Sequence, residues 1–173
     1  HYAITNIASY IGVRETVHYT TKFKAERLPL FSGAQYPDVI AKGTYPSDVH
    51  HGNNMGITFW YLDGTRLTSY GRNTRMETGN WREEHQITGA PAAYYQVPFS
   101  ILVQEHWRNL IPAGRMLNAD SGAFGALRVM VNLNQMGEAA GCAAAICLQE
   151  NRAIYEIDGC KVRALLKKGG SAL

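Results

Sequence analysis

The pattern of apolar and polar positions divides the chain into a front half of strand-like runs and a back half of strand, loop and helix. Residues 11–19, IGVRETVHY, are β-branched and aromatic and predict a strand. Residues 28–33 predict a loop. Residues 35–42 predict one short helix, with Pro37 near its start and Gly43 just past its end. Residues 44–50 look extended, with Pro46 at an edge or irregular position, and 51–56 form a Gly/Asn-rich turn. ITFWYL and TRLTSYG flank Asp63-Gly64, which predicts a β-hairpin. Residues 72–90 are polar without a period and predict a long irregular excursion.

In the back half, residues 94–103 are extended and interrupted by Pro98. Residues 109–113, NLIPA, predict a short buried strand that runs through Gly114 into a loop over 115–126. A long helix follows over 128–149. Its interior holds Gly137, Ala139, Ala140, Gly141, Ala143, Ala144 and Ala145, so another backbone can come close and flat packing is expected. The last helix starts at Asp158 as N-cap, carries Val162, Leu165 and Leu166 as an apolar stripe, and closes at Gly169. A boundary near Ala92 would divide a β-rich region, 1–92, from a strand–loop–helix region, 93–173.

Composition narrows the classes. With 46% hydrophobic and 18% charged residues the chain is globular rather than disordered. Its net charge of +3 is scattered and only Lys167 and Lys168 adjoin, so neither a nucleic-acid nor a membrane-surface footprint is expected. Three cysteines without a CxxC pair argue against a disulfide framework or zinc site, and Cys142 and Cys147 are expected as buried free thiols. No apolar run reaches the ~18 residues of a membrane helix. No signal peptide is visible, and a cytoplasmic location is favoured. The first residue, His1, suggests a chain cut from something longer.

Candidate chemistry concentrates in 109–141. Gly114, Gly122 and Gly125 would let backbone approach a flat or anionic ligand, with the start of the long helix facing it. An ordinary strand–loop–helix unit would show the same pattern. Asp48 and His50 share a face of an extended segment. They are one ligand short of a usual zinc site, so no metal is expected; a substrate-site role and a plain surface role both stay open. Arg14 and Glu15 should face opposite ways across their strand, and a buried ion pair with other segments is the expected use, with a catalytic role as the alternative. Arg128 and Arg115 could each contact an anion or pair with a distant carboxylate.

Several of these residues carry a resemblance. Asn109, Leu110, Ala113, Gly114 and Arg115, then Gly125, Arg128, Val129 and Met130, then Gly137, Ala139, Ala140, Gly141 and 143–145 follow one ungapped pattern. It resembles the C-terminal signature of a family of FAD-dependent oxidoreductases whose flavin domain has the glutathione-reductase-type fold. Residues 11–16 (IGVRET), 36–51 (YPDVIAKGTYPSDVHH) and 94–103 (YYQVPFSILV) resemble further stretches of that family. Asn118, Ala119, Asp120 and Ser121 stand where it often has Ser-Ala-Thr-His. Phe124 replaces a second histidine, and Ser100 replaces an arginine.

The resemblance implies an α/β fold, α+β as an isolated fragment: an antiparallel β cap region, 1–92, plus the last strand and following helix of an FAD-binding Rossmann-like domain, 93–173. It implies FAD as cofactor, contacted by Gly114, Arg115, Asn118, Gly125, Ala126, Arg128, Val129 and Met130. Arg128, His50 and Asp48 are the catalytic candidates, acting on an unknown small organic substrate. The G-x-G-x-x-G turn that dinucleotide binding needs is nowhere in the sequence. A missing N-terminal nucleotide-binding half is therefore the expected partner. The isolated chain is expected to be inactive, and a bared Ala/Gly helix face should favour self-association. The alternative is a non-catalytic α+β binding domain that has lost flavin.

Overall fold

The computed structural model describes residues 3–7, 9–10, 12–15, 17–52, 56–71 and 75–173. Among them the fold is mixed α+β. Strand β1 (Val39–Gly43) pairs antiparallel with β6 (Tyr95–Pro98), with a register shift between Val39 and Ala41. A separate antiparallel meander runs β2 (Ser47–His50), β3 (Ile57–Trp60), β4 (Thr65–Tyr70) and β5 (Arg75–Asn80). The expected hairpin is present: β3 and β4 pair from Ile57↔Ser69 to Trp60↔Arg66 around a turn in which Gly64 takes φ 103°. That positive φ is why glycine stands there. In the Gly/Asn-rich turn, the His51 amide donates to the Gly56 carbonyl at 2.8 Å, while 53–55 lie outside the described residues.

Four expectations give way to tertiary context. Residues 28–33 are not a loop but hold most of helix α1 (Arg27–Phe31). Pro29 is tolerated because first-turn amides have no intrahelical partner. Residues 35–42 are not a helix. Val39, Ile40 and Ala41 are buried in β1 because β6 lies beside them. The excursion over 72–90 is ordered where described, as β5 and a short helix α2 (Trp81–Glu84) capped by the Asn80 side chain on the Arg82 and Glu83 amides. β5 showed no apolar alternation because it is an edge strand with both faces largely wet. The 115–126 loop is mostly helix α3 (Ser121–Leu127).

Two expected strands do not form among the described residues. The described part of 11–19 forms no ladder; Tyr19 alone donates its amide, to the Met116 carbonyl at 2.9 Å. Ile11 and Thr16 lie outside the described residues. Residues 109–113 are irregular, with Leu110 on the surface. A parallel strand needs neighbours, and none of the described residues supplies them.

The remaining elements follow the sequence closely. After β6 the chain tightens into a 3-10 turn, Phe99–Leu102. Helix α4 (Met130–Glu150) ends at Asn151 in the left-handed region, φ 50°. It packs on β1 and on α5 (Gly159–Lys168) through Met136, Ala139, Ala143 and Ile146. Asp158 caps α5 on the Cys160 amide, and Val162 and Leu166 are buried whereas Leu165 faces out. Cys142 and Cys147 are free and only half-buried, and desolvation raises both thiols above their usual range. One apolar core takes in Phe31, Ile40, Trp60, Trp81, Tyr95, Leu127 and Leu166, from both sides of Ala92. No helix among the described residues is long and apolar enough to cross a membrane.

Candidate functional site

The site is built where β2 lies on α3. Asp120 starts α3 by accepting from the Ala123 amide at 2.6 Å, and its second oxygen accepts from the Arg27 amide at 2.9 Å. The Ser47 hydroxyl donates to the Gly122 carbonyl at 2.6 Å. A Cβ on Gly125 would run into the Asp48 backbone, and one on Gly122 into the Arg27 side chain. The space over these two glycines, expected to receive a ligand, is therefore taken by the chain's own β2 and Arg27. What this close approach achieves is placement: Asp48 comes to rest beside Arg128.

Asp48 and Arg128 form a buried ion pair, 9% and 12% exposed. Arg128 caps the C-terminal end of α3, where a cation complements the helix dipole. The Tyr45 hydroxyl donates to the second Asp48 oxygen over 3.5 Å. His50 lies two residues along β2, and its Nε2 accepts from the Arg14 guanidinium at 2.9 Å. Asp48, Arg128, His50 and Arg14 line a cleft of ≈ 200 Å³ with Glu15, Ser121 and Phe124. The three catalytic candidates thus share one cleft. Arg14 and Glu15 do not face opposite ways, because both line it.

On the other side of the turn at Arg128, α4 begins without a side-chain cap. Its N-cap is Val129, and Met130 and Val131 are 80% and 68% exposed. Here a second cleft of ≈ 480 Å³ is walled by Lys42, Tyr45, Tyr94, Val129 and Met130, with the Lys42 ammonium 4.5 Å from the Tyr94 ring centre. A buried clip holds the turn. The Asn132 amide donates to the Ala126 carbonyl and to the Tyr95 hydroxyl, both at 2.9 Å, and that hydroxyl donates to Ala126 at 3.3 Å. Burial pushes the Tyr95 hydroxyl up to about 12.

The other cofactor candidates lie apart. Gly125 and Ala126 are buried inside α3. Gly114 makes a turn at φ 130°. Arg115 donates to the Val13 carbonyl at 3.0 Å and lines a third cleft of ≈ 350 Å³ with Arg14, Glu15 and Tyr19. Asn118 donates to the Thr21 carbonyl at 3.4 Å. Among the described residues no three histidine, cysteine or acidic side chains converge as metal ligands. Sequence reasoning missed Tyr45, Ser121 and Asn132. Asn132 had a signal: it occupies the register of the buried positions 136, 139 and 143, where an amide is out of place unless hydrogen-bonded.

A mixed α+β chain thus carries a polar cleft and an apolar, aromatic cleft on either side of one helix start. Residues 1–166 match the family described as FAD dependent oxidoreductase, and the chain belongs to that family. No curated protein and no solved structure matches it.

Proposed function

We propose that this chain supplies the isoalloxazine-side wall of an FAD site of the glutathione-reductase type, together with part of the substrate site. The observation that carries this is the turn 128–130. It sets the uncapped start of the 21-residue α4 on an apolar, aromatic cleft and Arg128 on a polar one. The residues fit the ring end of a flavin. The ≈ 480 Å³ cleft falls within the roughly 300–1,000 Å³ of small-molecule sites, and Tyr94, Tyr45, Val129 and Met130 offer it apolar and aromatic surface. When bound, the flavin supplies hydride or two-electron transfer. The first amides of α4 favour negative charge on the ring edge nearest them. Asp48, fixed by Arg128, orients the polar wall, and His50 Nε2, which accepts from Arg14, becomes a proton acceptor for a ligand only once that guanidinium turns away.

The sequence has no pair of glycines two residues apart, so the nucleotide tail has no binding turn here. A nucleotide-binding polypeptide outside these residues would hold it. In this reading residues 1–92 form the cap side and 93–173 the flavin-domain side. The bare face of α4 (Gly137, Gly141, Ala144 and Ala145) packs against the missing part. The chain alone is inactive and tends to self-associate, which sedimentation at rising concentration checks.

A chain that grips only the ring end should not distinguish riboflavin from FAD. Quenching of flavin fluorescence should show both binding with similar, weak affinity, and Met130→Glu should abolish both. A second reading, a binding domain that has lost flavin, draws on the filled space over Gly122 and Gly125 and on Phe124 in place of histidine. Absence of quenching by either flavin would decide for it.

A further inference from the structure

The polar cleft is lined by two guanidiniums and two carboxylates, and among the described residues one guanidinium is left without a carboxylate partner. Asp48 is taken by Arg128. Glu15 is taken by His18, whose Nε2 lies 2.8 Å from the carboxylate and whose Nδ1 lies 2.6 Å from the Leu117 carbonyl. Arg14 has no carboxylate partner among the described residues. Its side-chain bond goes to a neutral acceptor, His50 Nε2, at 2.9 Å. A guanidinium has five N–H donors in a planar fork, so most of this one is left for something else.

We infer that the polar cleft receives a small carboxylate-bearing molecule whose anion is held by Arg14 rather than by Arg128. The inference rests on the reading of this cleft as the substrate side of a flavin site. Arg128 is the less available cation, because turning it toward a ligand would strand the buried Asp48 carboxylate. Arg14 sits on an exposed segment and can engage a planar anion in bidentate fashion while giving up only His50. Ser121, exposed in the same cleft, adds a hydroxyl that can donate. The cleft's ≈ 200 Å³ lies below the roughly 300–1,000 Å³ of drug-sized ligand sites, which suits a small molecule.

The test follows backbone amide resonances of the chain during titration with acetate and, separately, with its neutral isostere acetamide, at constant chloride. Acetate should give saturable shifts at Arg14, His50 and Ser121, and acetamide none. Arg14→Gln should weaken acetate binding by about tenfold or more, with Arg14→Lys in between. Arg152→Gln, which removes the same charge from the far end of α4, should change nothing. Equal responses to acetate and acetamide, or full acetate affinity in Arg14→Gln, would overturn the inference. Riboflavin titration of the same sample separates the two readings. Acetate binding without flavin uptake leaves the anion site standing and removes the flavin. Flavin uptake without acetate binding removes the anion site alone.

Discussion

In α3 every residue from Gly122 to Leu127 is buried, and its glycines are pressed against β2 and Arg27. In α4, with the same glycine-and-alanine character, Gly137 and Gly141 have nothing within 4 Å among the described residues. The absent side chains of α3 are consumed inside the chain: they bring Asp48 to Arg128 and so assemble the polar cleft. Those of α4 leave a flat, uncovered face. Small residues permit close approach, but they do not say which backbone will approach, or whether it belongs to the same polypeptide.

The sharpest way to break this contrast is to remove what the α3 glycines position. Asp48→Ala leaves Arg128 buried without its counter-charge and should cost about 3 kcal/mol, read as a lower urea midpoint at unchanged slope. A mere surface pair would cost under about 1 kcal/mol. Next comes the clip that joins α3 to α4. The Tyr95 hydroxyl is raised from 10.0 to about 12 by burial, so its contribution is complete below pH 10 and is lost as the pH climbs through the folded value. The loss amounts to about 2–3 kcal/mol across that window. Denaturation at stepped alkaline pH should show the decline, and Tyr95→Phe should flatten it.

Gly125→Ala follows. The added methyl meets the Asp48 backbone, and about 1–3 kcal/mol of overpacking is expected, with the Asp48–Arg128 contact disturbed as well. The smallest effect has the opposite sign. Gly137→Ala and Gly141→Ala add a methyl into open space in a helix interior and should each stabilise the chain by about 0.5–1 kcal/mol. Thermal melts of the three alanine variants side by side would settle the contrast. If Gly137→Ala destabilises as Gly125→Ala does, α4 is covered after all.

Elements with a strong local signal were legible in the sequence. The Asp-Gly hairpin, the small-residue helix and the Asp158 cap all needed only neighbours in the chain, and all are present. Elements that depend on a distant partner were misjudged in both directions. Residues 35–42 carried turn and helix signals but became β1 because β6 lies alongside. Residues 11–19 and 109–113 carried strand signals but found no ladder. The site shows the same division. Asp48, His50 and Arg128 were visible as unusual polar residues, but nothing local placed them in one cleft. Arg14 looked like half of a distant ion pair, whereas its partner is the His50 ring.

The amino-acid order alone determined the membership in a flavin-dependent family, the lack of a dinucleotide turn, and the helices and hairpin whose caps and turns are written within a few residues. Those depend on short-range sterics and hydrogen bonds that every chain carries with it. Only the tertiary structure decided that the glycines of 122 and 125 receive β2 rather than a ligand, and that the buried cation of the cleft is Arg128 while the available one is Arg14. Both depend on which surfaces meet across tens of residues, and a backbone approach or a charge pair exists only once both partners have been brought to the same place.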